Sequence, residues 1–382
     1  MKTYRCLLVV ALAFQAVGAA GIVRRHDRPD AAYLELAQDP RWQATVSVGG
    51  MAMGTLIAPE WVLTAAHVAQ FVGPFERVVI VAGREYAVRA VHVHADYNGT
   101  SVGTDIALLH LAEPVTDVKP APLYRGADEA GRAVVFVGHG DTGVGPAGPP
   151  EGNDRRWRAA QNRITVAQGA TLRFDFDAPP AGEDLEGISG PGDSGGPAFI
   201  EADGRAYVAG ISSANIPGTG TGICTYGTIE VYCRVSAQAA WIESAQAGRV
   251  PADGKWGEVR ALRAGGWPDE PRFARVSAWF AARNLGEPAQ LENFMRDAAT
   301  ADFLQRRTSE ARAEAARDNW NAHGAITPVA WAEANDGTLS VLARTSKPDE
   351  WVDILFTFGA DGKLDGAGTL ALGRRTKFAF EP

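Results

Sequence analysis

Three short motifs stand in one order along the 382-residue chain: Thr64-Ala65-Ala66-His67, Thr104-Asp105-Ile106-Ala107-Leu108-Leu109 and Gly192-Asp193-Ser194-Gly195-Gly196-Pro197. An imidazole, a carboxylate and a hydroxyl so far apart can act together only if the fold gathers them. His, Asp, Ser is one of the few chain orders in which a base, an orienting acid and a nucleophile occur together. A serine hydroxyl is a weak nucleophile near neutral pH and needs a base to take its proton. Imidazole, ordinarily titrating near about 6.5, suits that task. A carboxylate on the other ring nitrogen fixes the tautomer and stabilises the imidazolium. Gly192 and Gly195 let the backbone turn tightly around Asp193-Ser194.

The texture of the chain divides it. Up to about residue 246, short alternating runs such as Ala44-Thr45-Val46-Ser47-Val48 and Ala133-Val134-Val135-Phe136-Val137 read as strands of an all-β domain. Gly143 to Asp154, rich in Gly and Pro, reads as a surface loop, and Ala247 to Pro271 as a linker. Beyond it, Phe273, Val276 and Phe280 share one helical face, Leu291, Phe294 and Met295 suggest a second helix, and Thr308–Arg317 a third. Val352, Ile354, Phe356 and Phe358 alternate along a strand that turns at Ala360-Asp361-Gly362. Helices followed by an antiparallel sheet imply a small α+β domain over 272–382.

Residues 1–21 read as a secretory signal: Lys2 and Arg5, an apolar run from Cys6 to Val17, then small residues. The remainder is expected to be exported, with no membrane span. The formal charge of −8 becomes −10 without Lys2 and Arg5, and with no basic run this argues against nucleic-acid binding. In an oxidising compartment Cys224 and Cys233 would either pair across a hairpin or stay as two buried thiols; pairing is the expectation. His92 and His94 share a strand face, but without nearby acids or cysteines they make no convincing metal site. Asp361 and Asp365 do not match a calcium loop. No metal and no cofactor is expected.

The three motifs, with Trp61-Val62-Leu63 before the first, His94-Ala95-Asp96-Tyr97-Asn98 before the second, Gly138-His139-Gly140, Gly210-Ile211-Ser212-Ser213 and Val231-Tyr232-Cys233-Arg234-Val235, closely resemble the trypsin/chymotrypsin family of serine endopeptidases. The resemblance covers about residues 22–246. It implies a double β-barrel catalytic domain, closed by a helix over Gln238–Ala245, with the His67, Asp105 and Ser194 triad in the cleft between barrels and the amides of Gly192 and Ser194 as an oxyanion hole. It implies protein or peptide substrates.

By the same resemblance a free Ile22-Val23 N-terminus would pair with Asp193, so that removal of the leader would itself activate the chain. Arg24-Arg25 follows where the family has Gly-Gly, leaving an inert arm or a dibasic processing site as alternatives. The pocket would be lined by Ile188, Ser189, Ser213, Ala214 and Asn215. Glu230 would point inward to receive Lys or Arg, or lie solvated on a shifted loop. The C-terminal domain faintly resembles NTF2-like or cystatin-like accessory domains, with Trp279, Trp320 and Trp331 read as core and its ligand unknown. The competing readings are a catalytically silent protease-fold binding protein that uses this domain for recognition, and an esterase with the same triad.

Overall fold

The computed structural model describes residues 22–374, apart from 72, 76–77, 150–153, 218–222, 253–255, 257–258 and 263–265. Residues 1–21, with Cys6, on which the expectation of a secretory signal rests, lie outside the described residues.

Two closed six-stranded antiparallel barrels form the first part. One runs Thr45–Val48, Ala52–Ala58, Trp61–Thr64, Ala107–Leu111, Arg84–Val93 and Val78–Val81 in spatial order. The other runs Arg158–Gln168, Thr171–Asp175, Ile229–Arg234, Arg205–Ile216, Pro197–Ala202 and Ala133–Gly138. Alternation specifies the barrel face, and bulges correct it. In Arg84–Val93, Tyr86 and Val88 are buried between exposed neighbours; a register shift between Val88 and Ala90 then lets Val91 point inward. One apolar cluster runs through both barrels, with Trp42 stacked on Phe199 at 5.5 Å between ring centroids. The helix Val235–Gln246 closes this part, burying Val235, Ile242 and Ala245.

The glycine-rich stretch starting at Gly143 departs from a plain loop. Gly143–Val144 pairs parallel with Val23–Arg24, whose other edge pairs with Gly187–Ile188. This three-stranded ribbon fastens the chain just after Ile22 between the segment that follows Gly138-His139-Gly140 and the one that precedes Gly192-Asp193-Ser194.

The C-terminal part is a five-stranded antiparallel sheet of consecutive neighbours, from Arg260–Ala261 through Ile326–Glu333, Leu339–Thr345 and Glu350–Phe358 to Leu364–Arg374. Helices Pro271–Asn284, Pro288–Ala298 and Ser309–His323 cover one face. Phe273, Val276, Trp279 and Phe280 line the buried stripe of the first. The third is capped by Thr308, whose hydroxyl accepts from the Ala311 amide. The stretch read as a linker contributes the edge strand Arg260–Ala261, and the carbonyls of Val250 and Pro251 sit 3.2 Å from His92 Nδ1. His94 lies against Trp241 instead. Asp365 accepts from the Thr300 hydroxyl and Arg306.

The opposite sheet face receives a side chain from the first barrel. Phe75, just beyond the helix Ala66–Phe71 that carries His67, is 2% exposed against Ala330, Leu342, Trp351 and Leu372. Phe75→Ala is expected to weaken the C-terminal domain by about 3–5 kcal/mol, the range for a buried phenylalanine. Urea unfolding followed by tryptophan fluorescence checks this; a change below about 0.5 kcal/mol would mean the contact contributes nothing.

Candidate active site

The site sits where segments of both barrels touch. The Ser194 carbonyl accepts from the Met53 amide at 2.9 Å, and the Gly195 amide donates to the Ser212 carbonyl at 2.9 Å. Gly195, at φ 79°, could hold no side chain: a Cβ there would stand 2.2 Å from Thr64 Oγ1 and 2.5 Å from the Met53 carbonyl. The nucleophile loop therefore lies directly against Thr64-Ala65-Ala66-His67 of the other barrel.

His67 and Asp105 are joined twice. Nδ1 of His67 is 2.7 Å from Asp105 Oδ2, and the His67 amide donates to Oδ1 at 2.9 Å. Ser213 Oγ donates to the same Oδ2 at 2.5 Å. The Asp105 side chain is 4% exposed, that of His67 23%. The acid is thus sheltered and fixed, while the imidazole keeps an accessible edge. With Nδ1 donating to the carboxylate, Nε2 is left as the basic nitrogen. Among the described residues no hydrogen bond joins Ser194 Oγ to the ring, a contact that commonly tightens only around substrate. Sequence reading placed Ser213 on the pocket wall; its hydroxyl also helps hold Asp105, a use that nothing in the motif announces.

The loop after the Gly138-His139-Gly140 stretch is built around Asp193. Its carboxylate is buried and accepts three amides: Gly140 on Oδ1 at 2.7 Å, and Gly190 and Ile22 on Oδ2 at 2.9 and 3.0 Å. Burial raises its pKa, and these amides oppose the rise. Gly138 and Gly140 make the room, since a Cβ on Gly138 would lie 2.0 Å from Asp193 Oδ1. The Ile22 carbonyl accepts from Thr142 Oγ1 at 2.6 Å. Ile22 has φ 61°, a left-handed conformation strained for a β-branched residue. Arg24-Arg25 is no loose arm: Arg25 is 4% exposed, bonded to Asp27 and to the Glu183 carbonyl. In the nucleophile loop, the amides of Asp193, Gly195 and Gly196 have backbone acceptors. Among the described residues those of Gly192 and Ser194 have none, and Gly192 holds φ 93°.

Of the expected pocket residues, Ser189 and Glu230 meet. The Ser189 amide donates to Glu230 Oε2 at 3.1 Å, and Ser189 Oγ is 2.5 Å from the Tyr232 hydroxyl. Glu230 is 1% exposed, which removes the solvated alternative, and burial pushes its pKa up to about 8. Ile188 turns away into a cluster with Val23, Phe176 and Cys224. Ala214 and Asn215 are exposed. The expected disulfide is not formed. Cys224 and Cys233 are free, buried thiols that face different neighbours. Cys224 Sγ points to the Ser189 carbonyl at 3.5 Å, whereas Cys233 Sγ points to that of Gly103 at 3.3 Å, so their side chains diverge.

The family model for trypsin matches residues 35–242. Transmembrane protease serine 9 of Rattus norvegicus is 28% identical over 278 residues, 67% of this chain and 25% of that protein, so the chain spans about a quarter of the relative's length. No helix among the described residues is long and apolar enough to cross a membrane. With two closed barrels, a histidine–aspartate pair between them and a family match over more than half its length, the chain belongs to the trypsin family.

Proposed function

We propose that the protein is an exported serine endopeptidase. Ser194 attacks a peptide carbonyl, His67 Nε2 takes the hydroxyl proton and returns it to the leaving amine, and water then hydrolyses the acyl-enzyme. Asp105 orients the ring and stabilises its cation. The observation that carries this reading is the buried Asp105 carboxylate held by His67 Nδ1, the His67 amide and Ser213 together. The unengaged amides of Gly192 and Ser194 form the oxyanion hole, a single such donor being worth about 100- to 1000-fold in rate. Activation is cleavage before Ile22: the new ammonium gives Asp193 a counter-charge, and with no preceding peptide the strained φ disappears. The apolar composition of residues 1–21 supports export.

Treating protein that begins at Ile22 with a fluorophosphonate and measuring intact mass is expected to show one adduct, absent in Ser194→Ala. Peptide hydrolysis by Ser194→Ala or His67→Ala is expected to fall by about 10⁴-fold or more. A folded protein that takes no adduct would instead be a silent binding protein on this scaffold.

Glu230 sets the preference for the residue before the cut bond. As a buried acid it accepts a Lys or Arg side chain best when ionised. Its raised pKa means that the ionised fraction grows as pH rises through about 8. The ratio of kcat/KM for a Lys substrate to that for a Phe substrate should therefore climb between pH 7 and 9, by up to about tenfold in all, and level off above. Using the ratio cancels titrations common to both substrates. Glu230→Gln is expected to flatten it; a ratio already flat in the unaltered protein would contradict the assignment.

A further inference from the structure

The two faces of the C-terminal sheet are filled differently. On the helical face, Ser309–His323 runs across its neighbours for 15 residues without burying one of them. An ordinary covering helix seats an apolar stripe. This one presents Ala315, Ala316 and Asn319 to a cavity of about 660 Å³. Opposite lie Trp279, Leu291, Met295 and Phe303, so Trp279, expected from the sequence as core in preference to a ligand box, both joins the core and walls this space. The helix is held at its two ends by polar contacts instead: Arg312 and Ser309 bind Glu292, and Arg283 binds Asn319.

The charges around the cavity are unequal. Four guanidiniums line it, Arg283, Arg306, Arg307 and Arg312, against one carboxylate, Glu292. Arg312 neutralises Glu292, and Arg306 pairs with Asp365 at 2.9 Å. Arg283 is 5% exposed, and its acceptors are the Asn319 and Asn284 side chains and the Gly324 and Asn319 carbonyls, all neutral. Desolvation draws its pKa below the usual arginine range, with no carboxylate to oppose the shift. Arg307 is exposed at the rim, with no carboxylate within ion-pair distance among the described residues. An apolar chamber with uncompensated positive charge at its wall and rim suits a ligand that supplies both missing features.

We propose that this cavity binds an amphipathic carboxylate, its apolar body against Trp279, Leu291 and Met295 and its anionic head on Arg307 and the remaining donors of Arg306. Arg283, its hydrogen bonds already taken by neutral groups, acts through its field and not by direct donation. The site lies on the face of the sheet away from Phe75 and does not depend on the peptidase reading.

Calorimetric titration of the whole chain with decanoate tests this, with decanol and decyltrimethylammonium as matched probes. Decanoate is expected to bind, decanol at least about tenfold more weakly for want of a charge-assisted hydrogen bond, and the cation not at all. Arg307→Ala, at an exposed position, is expected to weaken decanoate about tenfold, and Ala316→Phe, which fills the chamber, to abolish binding. Circular dichroism confirms that both variants are folded. No decanoate binding up to about 1 mM, equal binding of decanol, or binding untouched by both variants would overturn the proposal.

Discussion

A carboxylate in the protein interior organises the site. Asp193 sits one residue before Ser194 and is buried among three amides, that of Gly190 in its own loop and those of Gly140 and Ile22 from distant parts of the chain. Burying such a charge is costly unless it is paired and hydrogen-bonded. Each partner is therefore fixed: Gly140 and Gly190 bracket the nucleophile loop, and Ile22 is brought in by the ribbon Val23–Arg24 with Gly187–Ile188 and Gly143–Val144. While the chain continues before Ile22, the nitrogen facing Asp193 is a neutral amide and φ is 61°. A left-handed conformation at such a residue is worth about 1–3 kcal/mol of strain. Under the activation proposed above, one cleavage relieves that strain and supplies the missing charge.

The second barrel contact follows from the first. With Asp193 pinned, the Ser194 carbonyl meets the Met53 amide and Gly195 packs on Thr64, beside the turn that carries His67. Asp105 is drawn in from the same barrel as His67, and Ser213 reaches it from the other. His67, Asp105 and Ser194 are thus held by backbone and side-chain contacts that cross between the barrels. Beyond them, Phe75 links the His67 segment to the C-terminal sheet, so that two units share a packed contact where the sequence suggests only a tether.

The barrels, the closing helix and the C-terminal helices and hairpin were legible because burial there follows simple periods, as in Phe273, Val276 and Phe280, or because short motifs mark them. The divergence of Cys224 and Cys233 was not, since their pairing depends on which way each side chain leaves its segment, and a spacing of nine residues does not encode that. Glu230 and Ser213 were visible as residues near a pocket, but their partners, Ser189 and Asp105, are tertiary facts. The polar support of helix Ser309–His323 was equally hidden. Its alanine-rich sequence reads as helix without revealing that an arginine-lined cavity, and not a core, lies beneath.

The central claim is that the Ile22 nitrogen on Asp193 builds a working site. It is tested most directly by comparing peptide hydrolysis by two otherwise identical chains, one beginning at Ile22 and one at Gly21. Loss of a buried ion pair is worth about 3–5 kcal/mol, so the account expects the longer chain to be slower by at least about 100-fold. Equal rates would contradict it, because Asp193 would then order the nucleophile loop without a charged partner.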